Sequence, residues 1–185
     1  VLGSGISINS IHIYAQVCRS ILCGAGLEVN LMNILVFSDS HGNTARMAEV
    51  VRREQPDQIF HLGDVSRDAR ALGQQFQQLP IACVCGNCDG PSDLPAQRIL
   101  TLEGKRVLLC RGHPYGVKSG MGGAIAAARA QGVDALLFGH THEAFCDLLE
   151  DLWVMNPGSI GSLLSPTYGI IRITEAGMVC YTEAY

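Results

Sequence analysis

Five short apolar runs in this chain each end in a small polar signature, and that coupling limits the fold more than any other feature. The runs are Ile34 to Phe37, Ile59 to Leu62, Ile81 to Val84, Val107 to Leu109 and Ala135 to Phe138. The signatures after them are Asp39-Ser-His41, Gly63-Asp64, Gly86-Asn87, Gly112-His113 and Gly139-His140-Thr-His142. Apolar runs of this length, bounded by Gly and Asp, read as buried strands. Parallel strands deliver their carboxyl ends to one edge of a sheet, where open α/β sheets bind ligands. Five signatures far apart in sequence can therefore meet at one place.

Helical patterns alternate with these strands. Asn43 caps a helix running to about Glu54, with Met47, Val50 and Val51 on one face. A second helix fits Arg67 to Leu79, capped by Ser66 and carrying Leu72, Phe76 and Leu79 as its apolar stripe. A third fits Gly120 to Ala130 and stops near Gly132. Beyond His142 the helical signal disappears, leaving short strands at Ala144 to Leu149, Leu152 to Met155, Gly169 to Ile173 and Met178 to Tyr181. Units of βαβ followed by hairpins predict a mixed α/β sandwich rather than a purely parallel sheet.

Residues 1–31 differ from the rest. They mix a Gly- and Ser-containing stretch with a mildly apolar one, and no basic segment precedes the apolar part as a signal peptide would require. The expectation is an upstream extension, loosely attached, with the folded domain spanning residues 32–185.

At 185 residues and 48% hydrophobic content, the chain suits one globular domain with a sizeable core. It has no apolar run long enough to span a membrane. A net charge of -4, with Lys and Arg scattered, gives no electrostatic footprint for a long nucleic acid. Eight cysteines lie mostly in strand-like runs, as small hydrophobes would, which points to a reducing cytoplasm rather than a disulfide framework. Cys83, Cys85 and Cys88 are close together but lack the spacing of a four-cysteine zinc site.

The signatures carry metal chemistry. Asp39 and His41 are two residues apart, as are His140 and His142, so each pair can face one way at a strand end. Asp64 adds a carboxylate able to bridge two cations, and Asn87 adds a neutral amide oxygen. Hard oxygens mixed with imidazoles suit Mn, Fe, Zn or Ni better than Ca. Two ions roughly 3.5 to 4 Å apart would clamp a phosphate and lower the pKa of a bound water to about 7, which permits in-line hydrolysis of a phosphate ester. Taken singly, an Asp-x-His is more often a turn or a cap. Paired imidazoles at one strand end are more telling, because they are costly to bury without partners. His61, inside a strand, reads as a buried hydrogen-bonded residue or a support for a ligand. His12 belongs to the extension.

From Met32 onward the chain resembles the calcineurin-like metallophosphoesterases, in particular the small single-domain phosphodiesterases of bacteria and archaea. The resemblance rests on Asp39-Ser-His41-Gly-Asn43, Leu62-Gly-Asp64, Cys85-Gly-Asn-Cys-Asp89, Leu137-Phe-Gly-His-Thr-His142 and Asn156-Pro-Gly-Ser159, in that order. It implies a four-layer αββα sandwich around a dinuclear centre. One ion would take Asp39, His41, Asp64 and His142; the other would take Asp64, Asn87, His140 and one further His. Mn is the metal expected, with Ni, Fe, Zn and Mg as alternatives. The implied reaction is hydrolysis of a small phosphodiester, or a monoester, by a metal-activated hydroxide, with Asn87 or Arg111 balancing charge and His140 positioning the phosphate.

Two positions depart from the family pattern. Cys88 stands where larger relatives carry a His that assists the leaving group, and a thiol with a pKa near roughly 8.5 is a poor donor beside an imidazolium. Modest rates and a preference for good leaving groups follow. Arg111 stands where the small relatives carry a His ligand. Three arrangements stay open: His113 reaches in as the ligand; the second ion binds weakly to Asp64, Asn87 and His140 alone; or the guanidinium takes over part of the cation's role and holds a phosphate oxygen. The expectation is a first ion bound tightly and a second bound loosely or not at all. A relative of this fold serves as a scaffold in membrane-traffic assemblies, so a weakly active or inactive protein-binding role is the alternative to an enzyme. Asn156-Pro-Gly-Ser159 reads as a structural turn.

Overall fold

The computed structural model describes residues 31–90 and 93–185. The expected extension therefore lies almost wholly outside the described residues, and His12 with it. Among the described residues, ten strands form two five-stranded sheets and three helices cover them.

The first sheet has the order β10-β9-β1-β2-β3, with β1 (Met32–Phe37), β2 (Gln58–His61), β3 (Ile81–Cys83), β9 (Thr167–Thr174) and β10 (Gly177–Ala184). β1, β2 and β3 run parallel, while β9 lies antiparallel to both β1 and β10. The second sheet has the order β4-β5-β6-β8-β7, with β4 (Gln97–Leu102), β5 (Lys105–Cys110), β6 (Ala135–Leu137), β7 (Ala144–Leu149) and β8 (Leu152–Pro157). β5, β6 and β8 are its parallel centre, with antiparallel strands on both edges.

Alternation along the strands explains the layering. In β1, Ile34 and Val36 point to one face and join Phe60, Val107, Leu109, Leu137 and Met155 in a core between the two sheets. Leu35 and Phe37 point to the other face, where they meet Met47, Val50 and Val51 of α1 (Thr44–Glu54) and Leu72 of α2 (Ser66–Gln75). The second sheet repeats the device. Leu108, Leu136 and Val154 pack outward against Ala124 and Ala128 of α3 (Gly122–Ala130). The result is the four-layer αββα sandwich. Runs buried on both faces have no polar alternation, as parallel central strands require.

Several boundaries differ from the sequence reading for identifiable reasons. α2 ends at Gln75, although Phe76 and Leu79 still pack on its core. The backbone leaves the helical region at Phe76, with φ -122° and ψ 64°, and Pro80 then keeps Leu79 from resuming it. α3 begins at Gly122 because Gly120 has φ 146°, outside the helical region. β4 escaped sequence reading altogether. It pairs with β5 across Glu103-Gly104, both at positive φ, the signature of a two-residue hairpin turn. No helix among the described residues is long and apolar enough to cross a membrane.

Candidate metal centre

All the signatures do arrive at one place. Asp39, Asp64 and Asn87 follow β1, β2 and β3 of the first sheet, while Arg111, His140 and His142 follow β5 and β6 of the second. Three of these turns bend sharply: Asp39, His41, Asp64, His140 and His142 all have φ between 47° and 75°. Non-glycine residues in the left-handed region cost about 1–3 kcal/mol each and persist only where the surroundings impose them. Close approach adds its own demand at two glycines. A Cβ on Gly139 would collide with Ser38 Oγ, and one on Gly86 with the backbone nitrogen of Asp64.

Asp39 is the hinge of the site. Its side chain is fully buried, and Oδ2 accepts hydrogen bonds from Ser38 Oγ (2.6 Å), Arg111 Nη1 (2.8 Å) and the His140 amide (3.2 Å). Oδ1 lies 2.7 Å from Arg111 Nη2 and 2.8 Å from His142 Nε2. Burial by itself would raise the Asp39 pKa, but hydrogen bonding and charge from Arg111, with Ser38 and His142, outweigh it and hold the carboxyl below its usual range.

Two imidazoles complete a trio. His41 Nε2 lies 3.5 Å from His142 Nε2 and 3.9 Å from Asp39 Oδ1, and the three ligand atoms all fall within 4.8 Å of one another. Both rings are exposed while the carboxylate is buried, so the trio opens to solvent on one side. Two imidazole nitrogens and one carboxylate oxygen, with coordination positions left free, fit a divalent Zn, Fe or Mn ion.

The residues expected to hold a second ion are arranged differently. Arg111 is only 1% exposed and its guanidinium lies among them. Nη2 contacts Asp39 Oδ1, Asp64 Oδ2 (2.5 Å) and His140 Nδ1 (3.3 Å), and Nε donates to Asn87 Oδ1 (3.2 Å). Nη1 donates to Ser38 Oγ and Asp39 Oδ2. A guanidinium has five N–H groups. All five have protein acceptors here, which leaves none to fork onto a phosphate oxygen. The set Asp64, Asn87 and His140 does not fit a second ion while Arg111 lies against it. His113 sits in an exposed 3-10 turn (His113–Tyr115), its ring centroid 6.0 Å from that of His140 and outside the trio.

The surrounding contacts fix the loops. Cys88 donates its amide to Asp64 Oδ1, and its exposed thiol accepts from Asn87 Nδ2. Burial and the nearby Asp64 charge push that thiol's pKa up. Burial, Arg111, Lys118 and His113 together lower the His140 pKa, which favours a neutral ring. His61 is buried as expected; its Nε2 meets Ser40 Oγ at 3.2 Å, and Ser40 donates to Asp68. Burial outweighs the neighbouring carboxylates and pushes His61 down to about 4.

Sequence reading missed two supports, Asp68 and Ser38, and gave Asn156 and Ser159 only as part of a structural turn. Asp68 accepts from Ser40 Oγ and the Gly42 amide, holding the Asp39-to-His41 turn. Asn156 donates to Gly139 O and Thr141 Oγ1, and Ser159 donates to Asp39 O. Ser38 bridges Asp39 and Arg111. For Asp68 the only signal was an acidic residue in the first turn of a helix.

Residues 32–176 match the calcineurin-like phosphoesterase superfamily domain. The probable metallophosphoesterase YsnB of Bacillus subtilis is 33% identical over 131 residues, covering 70% of this chain and 75% of that protein. The phosphodiesterase YfcE of Escherichia coli K12 is 28% identical over 155 residues, covering 70% of this chain and 80% of that protein. A crystal structure of a predicted phosphoesterase from Streptococcus pneumoniae superposes with a TM-score of 0.66 at 23% identity, covering 84% of this chain and 98% of that one, which bears on the fold alone.

Proposed function

Since the chain belongs to the calcineurin-like phosphoesterase superfamily, a family of metal-dependent hydrolases of phosphoric esters, we propose that it hydrolyses small phosphodiesters at the Asp39, His41 and His142 centre. The observation that carries this reading is the convergence of those three ligand atoms within 4.8 Å on the solvent side of a buried, charge-paired carboxylate.

An ion held by Asp39, His41 and His142 supplies Lewis acidity toward a phosphoryl oxygen and lowers the pKa of a water to about 7. The chain's own groups do the rest. His140 Nδ1 accepts from Arg111, so Nε2 carries the ring proton. Partly exposed and neutral, His140 donates that proton as a hydrogen bond to a phosphoryl oxygen and positions the ester. The Asn87 amide, held by Arg111 and leaning on Cys88, offers a second neutral donor. The Cys88 thiol stays protonated and gives weak help to a leaving group. The centre therefore favours esters whose leaving group departs without acid assistance.

The substrate is a small ester rather than a long nucleic acid, a reading supported by the net charge of -4. Mn is the ion proposed. The enzyme works in the cytoplasm, a placement supported by free thiols at Cys83, Cys85, Cys88, Cys110, Cys146 and Cys180.

The test is hydrolysis of bis(p-nitrophenyl) phosphate by chelator-stripped protein titrated with Mn2+, alongside His142→Ala and His41→Ala. Turnover should appear with Mn2+ and vanish in both variants while circular dichroism stays unchanged. An ion bound without any turnover would leave the scaffold role as the better account.

A further inference from the structure

Resting on that metal-dependent reading, we infer that the centre is built for one exchangeable ion, and that the Arg111 guanidinium is its resident second cation.

The argument starts from occupancy of donor atoms. Asp64 Oδ2, Asn87 Oδ1 and His140 Nδ1 would have to approach a metal to about 2.0–2.2 Å. Each is instead engaged by one side chain: the first and third by Nη2, the second by Nε. An ion and a guanidinium cannot share that space. His113, whose ring lies 6.0 Å from that of His140, is exposed and not within the trio.

Charge gives the same answer. The side chains of Asp39 and Asp64 are 0% and 4% exposed, and buried carboxylates require compensation. Arginine stays charged at any pH a protein survives. It cannot step aside by losing a proton, as a lysine or histidine could. Its backbone is fixed as well: the next residue, Gly112, has φ 94°, and a Cβ there would press on Val117 and Phe138. The side chain is thus held at the end of β5 with every N–H matched.

The bridging role moves in consequence. In a dinuclear arrangement Asp64 would join the two ions. Here Asp39 Oδ1 faces both the guanidinium at 2.7 Å and the trio through His142 at 2.8 Å. Asp39 is the carboxylate shared between the exchangeable cation and the permanent one. Arg111 is accordingly a positioning residue, acting on phosphate only through His140, Asn87 and the carboxylates it holds.

Metal counting tests this independently of catalysis. Chelator-stripped protein is equilibrated with excess Mn2+, desalted, and analysed for metal per chain, with electron paramagnetic resonance on the same samples. The wild type should carry one ion and show the spectrum of an isolated Mn2+. Arg111→His and Arg111→Ala should each take up a second ion and show an exchange-coupled pair. Two ions in the wild type would overturn the inference, as would folded variants that both stop at one. No ion in the wild type would overturn the metal-dependent reading itself, and this inference with it. His142→Ala, which keeps Arg111 in place, should lose the single ion. An ion retained there would mean that it sits elsewhere, and would also overturn the inference.

Discussion

Replacing Arg111 with Met should be far more damaging to the metal-free protein than the loss of one side chain suggests. Met matches much of the volume but removes the guanidinium that is paired with two buried carboxylates, Asp39 and Asp64. Breaking a buried pair from one side typically costs about 3–5 kcal/mol, because the remaining charge is left uncompensated. For a domain of roughly 150 residues each kcal/mol moves the midpoint by about 2–4 °C, so the expected loss is about 6–20 °C. Thermal melts followed by circular dichroism, in chelator at neutral pH, measure it directly. The pH dependence has a definite sign. In the wild type the Asp39 pKa lies below its ordinary 3.8, so its stabilisation is complete above that value and lost as pH falls through the folded-state pKa. Without the guanidinium, burial alone would raise the folded pKa, and acid would favour the folded variant. The gap between the two proteins should therefore narrow on acidification, and Mn2+ should restore the variant more than the wild type. A variant melting within about 2 °C of the wild type at neutral pH would refute the view that Arg111 compensates these carboxylates.

Other substitutions probe separate parts of the site. His142→Ala should lower hydrolysis of a chromogenic phosphodiester by at least about 100-fold, since loss of a direct ligand exceeds the roughly 10–100-fold cost of an outer partner; normal turnover at saturating Mn2+ would exclude the trio as the metal centre. His61, held neutral with a pKa pushed down from 6.5 to about 4, takes up a proton on unfolding within that window. Its contribution is whole above pH 6.5 and falls as pH drops, by about 2 kcal/mol near pH 5. Urea midpoints across this range should show the slope flattening in His61→Gln, and an unchanged slope would assign it to other groups. Asn156→Ala should cost about 1–3 kcal/mol by leaving the Gly158 amide without its acceptor and removing the donor to Gly139 O and Thr141 Oγ1. Calorimetry measures that loss, and the same variant should hydrolyse esters more slowly because the His140-to-His142 turn is loosened. Leu163 and Leu164, 87% and 97% exposed, should tolerate Ser with a stability change within about 0.5 kcal/mol.

What could be read from the sequence was whatever depends on spacing along one strand. Ile34 to Phe37 and Ala135 to Leu137 announce buried parallel strands because both faces are apolar, and the polar residues just beyond them announce a shared edge. β4 was invisible for the opposite reason. Its residues Gln97 to Leu102 alternate between exposed and half-buried, with no fully buried position to mark a strand. The position of Arg111 was legible as a departure from a pattern, but its conformation was not. Whether the guanidinium reached for phosphate or for Asp39 and Asp64 depends on contacts between loops from two sheets, and no local period encodes those. The same limit hid Asp68 and the partner of Ser159, since Ser40 and Asp39 lie on another element.

The two halves of the sandwich share this centre as a seam. Asp39 and His41 come from the first sheet, His142 and Arg111 from the second, so neither sheet alone can assemble the ion's ligands. An ion held by Asp39, His41 and His142 would thus report that the sheets have met rather than that strands have formed. Loss of the ion does not reopen the join, because Arg111 still laces Asp39, Asp64 and Asn87 across it. On the single-ion proposal, a cell starved of metal would keep this protein folded and idle, ready to resume when that ion returns.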